Sequence, residues 1–168
     1  MKGSASFDAS GKYRYSLHRR WRAGPRRVCF CMLNPSTADA SRNDPTVRRC
    51  IGYAMDWGFD ALEVVNIFAL RSTDPAALAT DEDPVGPRNT AAIVRAARRS
   101  EIVVAAWGVH GGIGGRGQSV LRRLSGLCEV CCLGTTREGF PRHPLYLAKS
   151  AQPEPVQQVL VASGVTVG

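Results

Sequence analysis

The chain is short of most features that place a protein quickly. No stretch approaches the run of about 18 apolar residues that a membrane-spanning helix needs, so no membrane association is expected. No apolar h-region follows Lys2, so no secretory signal is expected either. There is no G-x-S-x-G elbow, no HExxH, no His/Cys/Cys deaminase spacing and no Walker lysine. Aromatic residues make up 7% of the chain and charged residues 21%, yet 44% is apolar, which excludes wholesale disorder, collagen and coiled coil. With 168 residues the chain is expected to hold one domain with a core that needs no metal or disulfide. Residues 1–11 are expected to be a flexible N-terminus, and residues 12–168 a single α/β domain.

Acidic residues are scarce at one end only. Residues 1–27 hold eight basic residues and the single acid Asp8. The remaining 141 residues are nearly balanced, with 14 basic and 13 acidic groups. The net charge of +8 is therefore concentrated around Arg19, Arg20, Arg22, Arg26 and Arg27. Such a patch suits nucleic acid or phosphate. A solubilising arm in an arginine-biased chain (19 Arg, 3 Lys) has the same composition.

Cysteine is present but does not read as a secreted scaffold. Cys29 and Cys31 alternate in the apolar run Val28–Leu33, and Cys50 falls on a helical stripe. Cys128 and Cys131 have CxxC spacing, but their surroundings read as a strand, on which residues three apart face opposite ways. Core thiols in a reducing cytoplasm are expected, with no metal and no cofactor.

Strands and helices alternate. Strands are expected at Tyr13–Leu17, Val28–Leu33, Ala61–Phe68, Glu101–Trp107 and Glu129–Leu133. Asp44-Pro45 opens a helix with Val47, Cys50, Ile51 and Ala54 on one face, closed by Trp57-Gly58. Further helices are expected from Pro87 to Arg99, from Arg116 to Gly126 and over Pro153–Ser163. Continuous apolar strands between helices imply an α/β fold, a three-layer α/β/α sandwich on a central, mostly parallel four-stranded sheet. Tyr13–Leu17 is a candidate N-terminal antiparallel edge strand.

Ligands of such sheets bind beyond the carboxyl ends of the strands, and polar residues collect there. The first strand end delivers Asn34, Ser36 and then Asp44. The second delivers Asn66 and Arg71. The third delivers Trp107, Gly108, His110 and Arg116. The fourth delivers Arg142 and His143. Asn34 holds a base or a water, or closes the Pro35-Ser36 turn. Asp44 is at minimum an N-cap, and in a cleft also a candidate general base. Asn66, inside an apolar strand, needs a partner, either a ligand or a loop carbonyl. Trp107 is an aromatic platform or a core residue. The glycine-rich Gly111–Gly117 stretch with Arg116 is a weak anion-binding signal. Arg142 suits phosphate, and His143 suits a developing anion or proton transfer, with a structural loop histidine as the alternative.

Met32-Leu33-Asn34-Pro35-Ser36-Thr37-Ala38-Asp39 and Asn43-Asp44-Pro45-Thr46-Val47-Arg48-Arg49-Cys50 resemble the opening block of an uncharacterised bacterial family, domain-of-unknown-function family 1643. Val64–Ala69, Pro84–Asn89, Ala106-Trp107-Gly108 and Pro141–Leu147 resemble its later blocks. The resemblance covers about residues 10–150. A more distant one reaches the uracil-DNA glycosylase superfamily: Met32-Leu33-Asn34-Pro35-Ser36 is similar to its water-positioning motif, and the His143-Pro144 loop to its late DNA-contacting motif. Ser36 stands where that motif has a glycine, and His143-Pro144-Leu145 lacks the serine found after His-Pro in several branches. The resemblance implies a three-layer α/β/α fold and a glycosylase-like hydrolase acting on the N-glycosidic bond of a nucleic-acid base or nucleotide. Asn34, Asp44 and His143 would carry the chemistry. Ser36, Asn66, Arg71, Trp107, Gly108, His110, Arg116 and Arg142 would bind the substrate. The alternative is a noncatalytic nucleotide- or nucleic-acid-binding protein using the same residues.

Overall fold

A computed structural model describes residues 1–156. It is an α/β protein with one mixed sheet of seven strands and several helices. In chain order come β1 (Lys2–Phe7), β2 (Arg14–Arg20), β3 (Arg27–Met32), α1 (Pro45–Asp56), β4 (Ala61–Asn66), α2 (Ala76–Thr80), α3 (Asn89–Arg98), β5 (Ile102–Ala105), α4 (Arg116–Ser125), β6 (Val130–Cys132) and β7 (Glu154–Pro155). The strand order is β1-β2-β4-β3-β5-β6-β7. The pairs β4/β3, β3/β5 and β5/β6 are parallel. The pairs β1/β2, β2/β4 and β6/β7 are antiparallel.

The apolar strands and the first three period-3.6 helices form close to where expected, the expected antiparallel edge strand (β2) lies inside the sheet because β1 pairs outside it, and three short elements are additional. Lys2–Phe7 falls in the segment expected to be a flexible N-terminus, yet it pairs with β2 from Lys2↔Arg20 onward. The acidic loop contains the five-residue α2. The helix expected over Pro153–Ser163 begins differently: Glu154 and Pro155 pair with Cys132 and Cys131. Its part beyond residue 156 lies outside the described residues.

Alternate side chains of β3 enter different cores. Val28, Phe30 and Met32 pack with Val47, Cys50, Ile51 and Ala54 of α1. Cys29 and Cys31 pack with Ile93, Ala96, Val120 and Leu124 of α3 and α4. The strand's two-residue period thus assigns each neighbour to an opposite face of the sheet. All six cysteines are free thiols, and all but Cys128 are buried.

α1 is anchored at both ends. Asp44 is its N-cap, with Oδ1 accepting from the Val47 N–H at 2.8 Å, and Pro45 comes next without an amide to satisfy. At its far end Trp57 stacks between Phe30 (5.8 Å) and Tyr53 (5.4 Å), tying the helix to β3. Each large side chain so buried contributes roughly 1.5–3 kcal/mol. Among the described residues, no helix is long and apolar enough to cross a membrane.

Candidate functional site

β3 and β4 end side by side, and their ladder continues into the loops. Ile67 N–H donates to Met32 O, Phe68 N–H to Leu33 O, and Ser72 N–H to Pro35 O. Asn34 braces this junction. Its Nδ2 donates to Ser72 O at 2.9 Å, with longer contacts to Pro35 O and Leu70 O. The turn-closing role and the cleft-lining position thus coexist in one residue.

The junction floors a cleft of about 260 Å³ at the carboxyl edge of the parallel strands. Its lining brings together Asn34, Ser36, Asp44, Asn66 and His143. These five come from three separate stretches of the chain. His143 returns to the cleft because its loop is pinned: Gly108 N–H donates to Pro141 O at 2.8 Å, and Arg142 N–H to Gly134 O at 3.0 Å. Gly108 has a φ of +73°, so a side chain there would be strained, although its Cβ would meet the His143 Cβ at an ordinary 3.7 Å. Leu145 N–H donates to His143 Nδ1 at 3.2 Å. An accepting Nδ1 places the neutral ring's proton on Nε2. Burial holds the His143 imidazole below its usual pKa, opposed by the nearby Asp44 carboxylate. The neutral Nε2–H form therefore prevails at neutral pH.

Arg14 also lines the cleft, and sequence reasoning did not single it out. β2 runs antiparallel to β4, so its first residue, rather than its last, meets the carboxyl edge of the parallel strands. The signal was the charge itself, a lone arginine between Tyr13 and Tyr15 at the start of a strand. Arg14 is 2% exposed. Its guanidinium donates to Ala38 O at 2.9 Å and to Asn66 Oδ1 at 3.3 Å, and no carboxylate among the described residues pairs with it. Burial pushes its pKa down to about 10, with Asp44 acting in the opposite direction. Its Nε and the Nδ2 of Asn66 are buried donors with no hydrogen-bond partner among the described residues. Asn66 is otherwise fixed, since the wholly buried Asn89 donates to its backbone oxygen at 2.7 Å. Both unmet donors belong to residues that line one cleft, and a buried donor without a partner is costly.

The other expected binding residues lie elsewhere. Trp107 is 3% exposed and packs in the core, where Gly111 and Gly117 leave room for its ring. The glycine-rich stretch thereby has a packing role. Its residues Val109–Gly115 form 3-10 turns broken by a kink at Ile113 and Gly114, and carry the exposed His110. Arg116 donates to Ile67 O at 2.9 Å and Thr90 Oγ1 at 3.1 Å. Arg71 donates to Gly11 O and lies over the Phe7 ring at 4.9 Å. Arg142 is exposed.

The N-terminal arginines have internal partners. Arg19 is 3% exposed and donates to Asn43 Oδ1 and to the carbonyls of His18, Asp39 and Arg42. Arg20 donates to Arg22 O and Gly24 O. Arg22 pairs with Asp60, Arg26 with Glu101, and Arg27 with the buried Glu63. Glu63 also pairs with Arg99 and His18. Arg19, Arg20 and Arg27, with Lys2 and Arg99, line a separate groove at the opposite edge of the sheet. Among the described residues, no cluster of three or more His, Cys, Asp or Glu is placed to hold a metal ion.

No curated protein matches the chain. A family model described as "Protein of unknown function (DUF1643)" matches residues 14–145, from the buried arginine to the residue that orients His143, and the chain belongs to that family.

Proposed function

We propose that the cleft binds a nucleobase and that the protein is a glycosylase-like hydrolase of its N-glycosidic bond, built on a three-layer α/β/α scaffold. The observation that carries this reading is the pair of unmet buried donors, Arg14 Nε and Asn66 Nδ2, in a cleft that also holds a carboxylate and an imidazole. The donors suit the carbonyl edge of a base, which leaves as an anion when the bond breaks. In the reaction a water oxygen bonds to the sugar carbon, and the C–N bond breaks with its electron pair going to the base. Asp44 uses Oδ1 for its helix cap, so Oδ2 is the atom assigned to take the water's proton. His143 Nε2–H donates to the departing base, and Arg14 stabilises the same charge electrostatically. Asn34 and Ser36 position the water side of the cleft. The similarity of Met32–Ser36 and the His143 loop to glycosylase motifs supports the same assignment.

A noncatalytic nucleotide binder is favoured by one observation: the Asn34 amide is already bonded to loop carbonyls. Mass-spectrometric detection of free base separates the two. Single- and double-stranded oligonucleotides carrying uracil, mismatches, deaminated purines and alkylated bases are offered with a nucleoside and nucleotide pool. Base release by the wild type, abolished in Asp44→Asn and His143→Ala, is the expected result. Binding without release by folded protein would leave the binder. If neither binding nor release is seen, the nucleobase reading fails.

A further inference from the structure

Beside the cleft lies a second depression of about 450 Å³, over the first turn of α1. Leu145 lines both. Pro45, Arg48, Arg49 and Tyr146 complete the second. Tyr146 is unusual in two independent ways. It is 98% exposed, and its φ of +67° makes it the sole non-glycine residue with positive φ among those described. An aromatic side chain is disfavoured in that region and in water alike, and local strain of this kind concentrates where a ligand is contacted. The ring stacks on no other aromatic among the described residues.

The two arginines beside it lack carboxylate partners among the described residues. Arg48 gives one N–H to Asn43 O at 2.9 Å. Arg49 lies 5.3 Å from the Tyr53 ring, and its buried Nε has no hydrogen-bond partner among those residues. Aromatic face, apolar floor and two uncompensated guanidiniums form the combination that accepts a base and the adjoining phosphates of a single strand.

We infer that the depression formed by Tyr146, Arg48 and Arg49 is a subsite for the nucleotide adjacent to the one in the cleft, so the ligand is a single-stranded nucleic acid rather than a free nucleotide. This rests on the nucleobase reading of the cleft and specifies its substrate class. Tyr146 stacks on the neighbouring base, and Arg48 and Arg49 contact the phosphates on either side of it.

Competition binding of dA, dT and dC as 5′-monophosphates and as single-stranded 8-mers tests it. The 8-mer of at least one base is expected to bind at least about tenfold tighter than its monophosphate, the effect of one stacked base. Tyr146→Ala should remove that gain, and Tyr146→Phe should retain it. Arg48→Gln/Arg49→Gln should reduce the slope of log K against log salt by about 1.4, or 0.7 per phosphate contact. Neither Tyr146 variant should change monophosphate binding. Equal binding of monophosphate and 8-mer, or a length gain that survives Tyr146→Ala, overturns the subsite. A Tyr146-dependent 8-mer gain without any monophosphate binding supports the subsite and sinks the cleft reading. Absence of all binding by folded protein sinks both.

Discussion

Arg14 gives the sharpest test, because its burial and its bonding nearly cancel. The guanidinium is 2% exposed without a carboxylate partner among the described residues. A pKa pushed down to about 10 corresponds to a cost on the order of 3 kcal/mol for keeping the charge in the folded protein. Against this stand its bonds to Ala38 O and Asn66 Oδ1. Hydrogen bonds from a charged donor contribute roughly 1.5–3 kcal/mol each, and the 3.3 Å bond belongs at the low end. Arg14→Met, of similar length and without charge, should therefore destabilise by only about 1 kcal/mol, against the roughly 3–5 kcal/mol typical of a broken buried ion pair. Urea unfolding at unchanged m reads the difference as a small shift in midpoint. Ligand binding measured on the same sample should be lost. A loss of about 3 kcal/mol or more would show that the guanidinium holds the fold together, and the argument that its unmet donor awaits a ligand would collapse.

Three further outcomes rest on particular contacts. Gly117→Ala would place a Cβ 2.7 Å from Trp107 Nε1 and 2.8 Å from the Gly111 carbonyl, so a destabilisation of about 2–3 kcal/mol is expected in urea melts. Asp44→Asn preserves the α1 cap and should keep stability within about 0.5 kcal/mol while abolishing turnover, whereas Asp44→Ala should also cost about 1 kcal/mol; equal effects on both readouts would tie Asp44 to the helix alone. Burial holds His143 and His18 below the usual histidine value. Since folding disfavours their charged forms, their contribution is full above a pH of about 6.5 and is lost as pH falls through the lower folded values. Urea midpoints should therefore drop on acidification, less steeply in His143→Asn and His18→Asn, and a midpoint that rises towards acid would contradict the assignment.

The apolar strands and α1 were legible because period and capping leave little choice: Val28–Met32 has no polar residue to expose, and Asp44-Pro45 starts a helix wherever it stands before a stripe. β1 and β7 were not legible. Lys2–Phe7 and Glu154–Pro155 are mostly exposed and carry no apolar alternation, so their pairing depends on the edges that β2 and β6 offer. In the cleft, Asn34, Ser36, Asp44, Asn66 and His143 were found by one rule, that parallel strands present their carboxyl ends together. The same rule hid Arg14, because an antiparallel neighbour presents its beginning there. It also pointed to Trp107, whose indole is buried because Gly111 and Gly117, which lie after it in the chain, open space for the ring. Charge counting found the N-terminal arginines but not the carboxylates that pair with Arg22, Arg26 and Arg27, which lie far along the chain at Asp60, Glu101 and Glu63.

The distribution of thiols turns the sheet into its own reporter. Cys29 and Cys31 lie on the side covered by α3 and α4, Cys50 lies on the buried face of α1, and all three are fully buried. Cys128 is partly accessible. A thiol reagent should reach Cys128 in the folded protein and the other three only when their own layer opens. Tracking the labelling of each cysteine by peptide mass as urea is raised would time the departure of each helical layer separately. One unmodified chain would thus disclose whether its two faces come apart in concert or in succession.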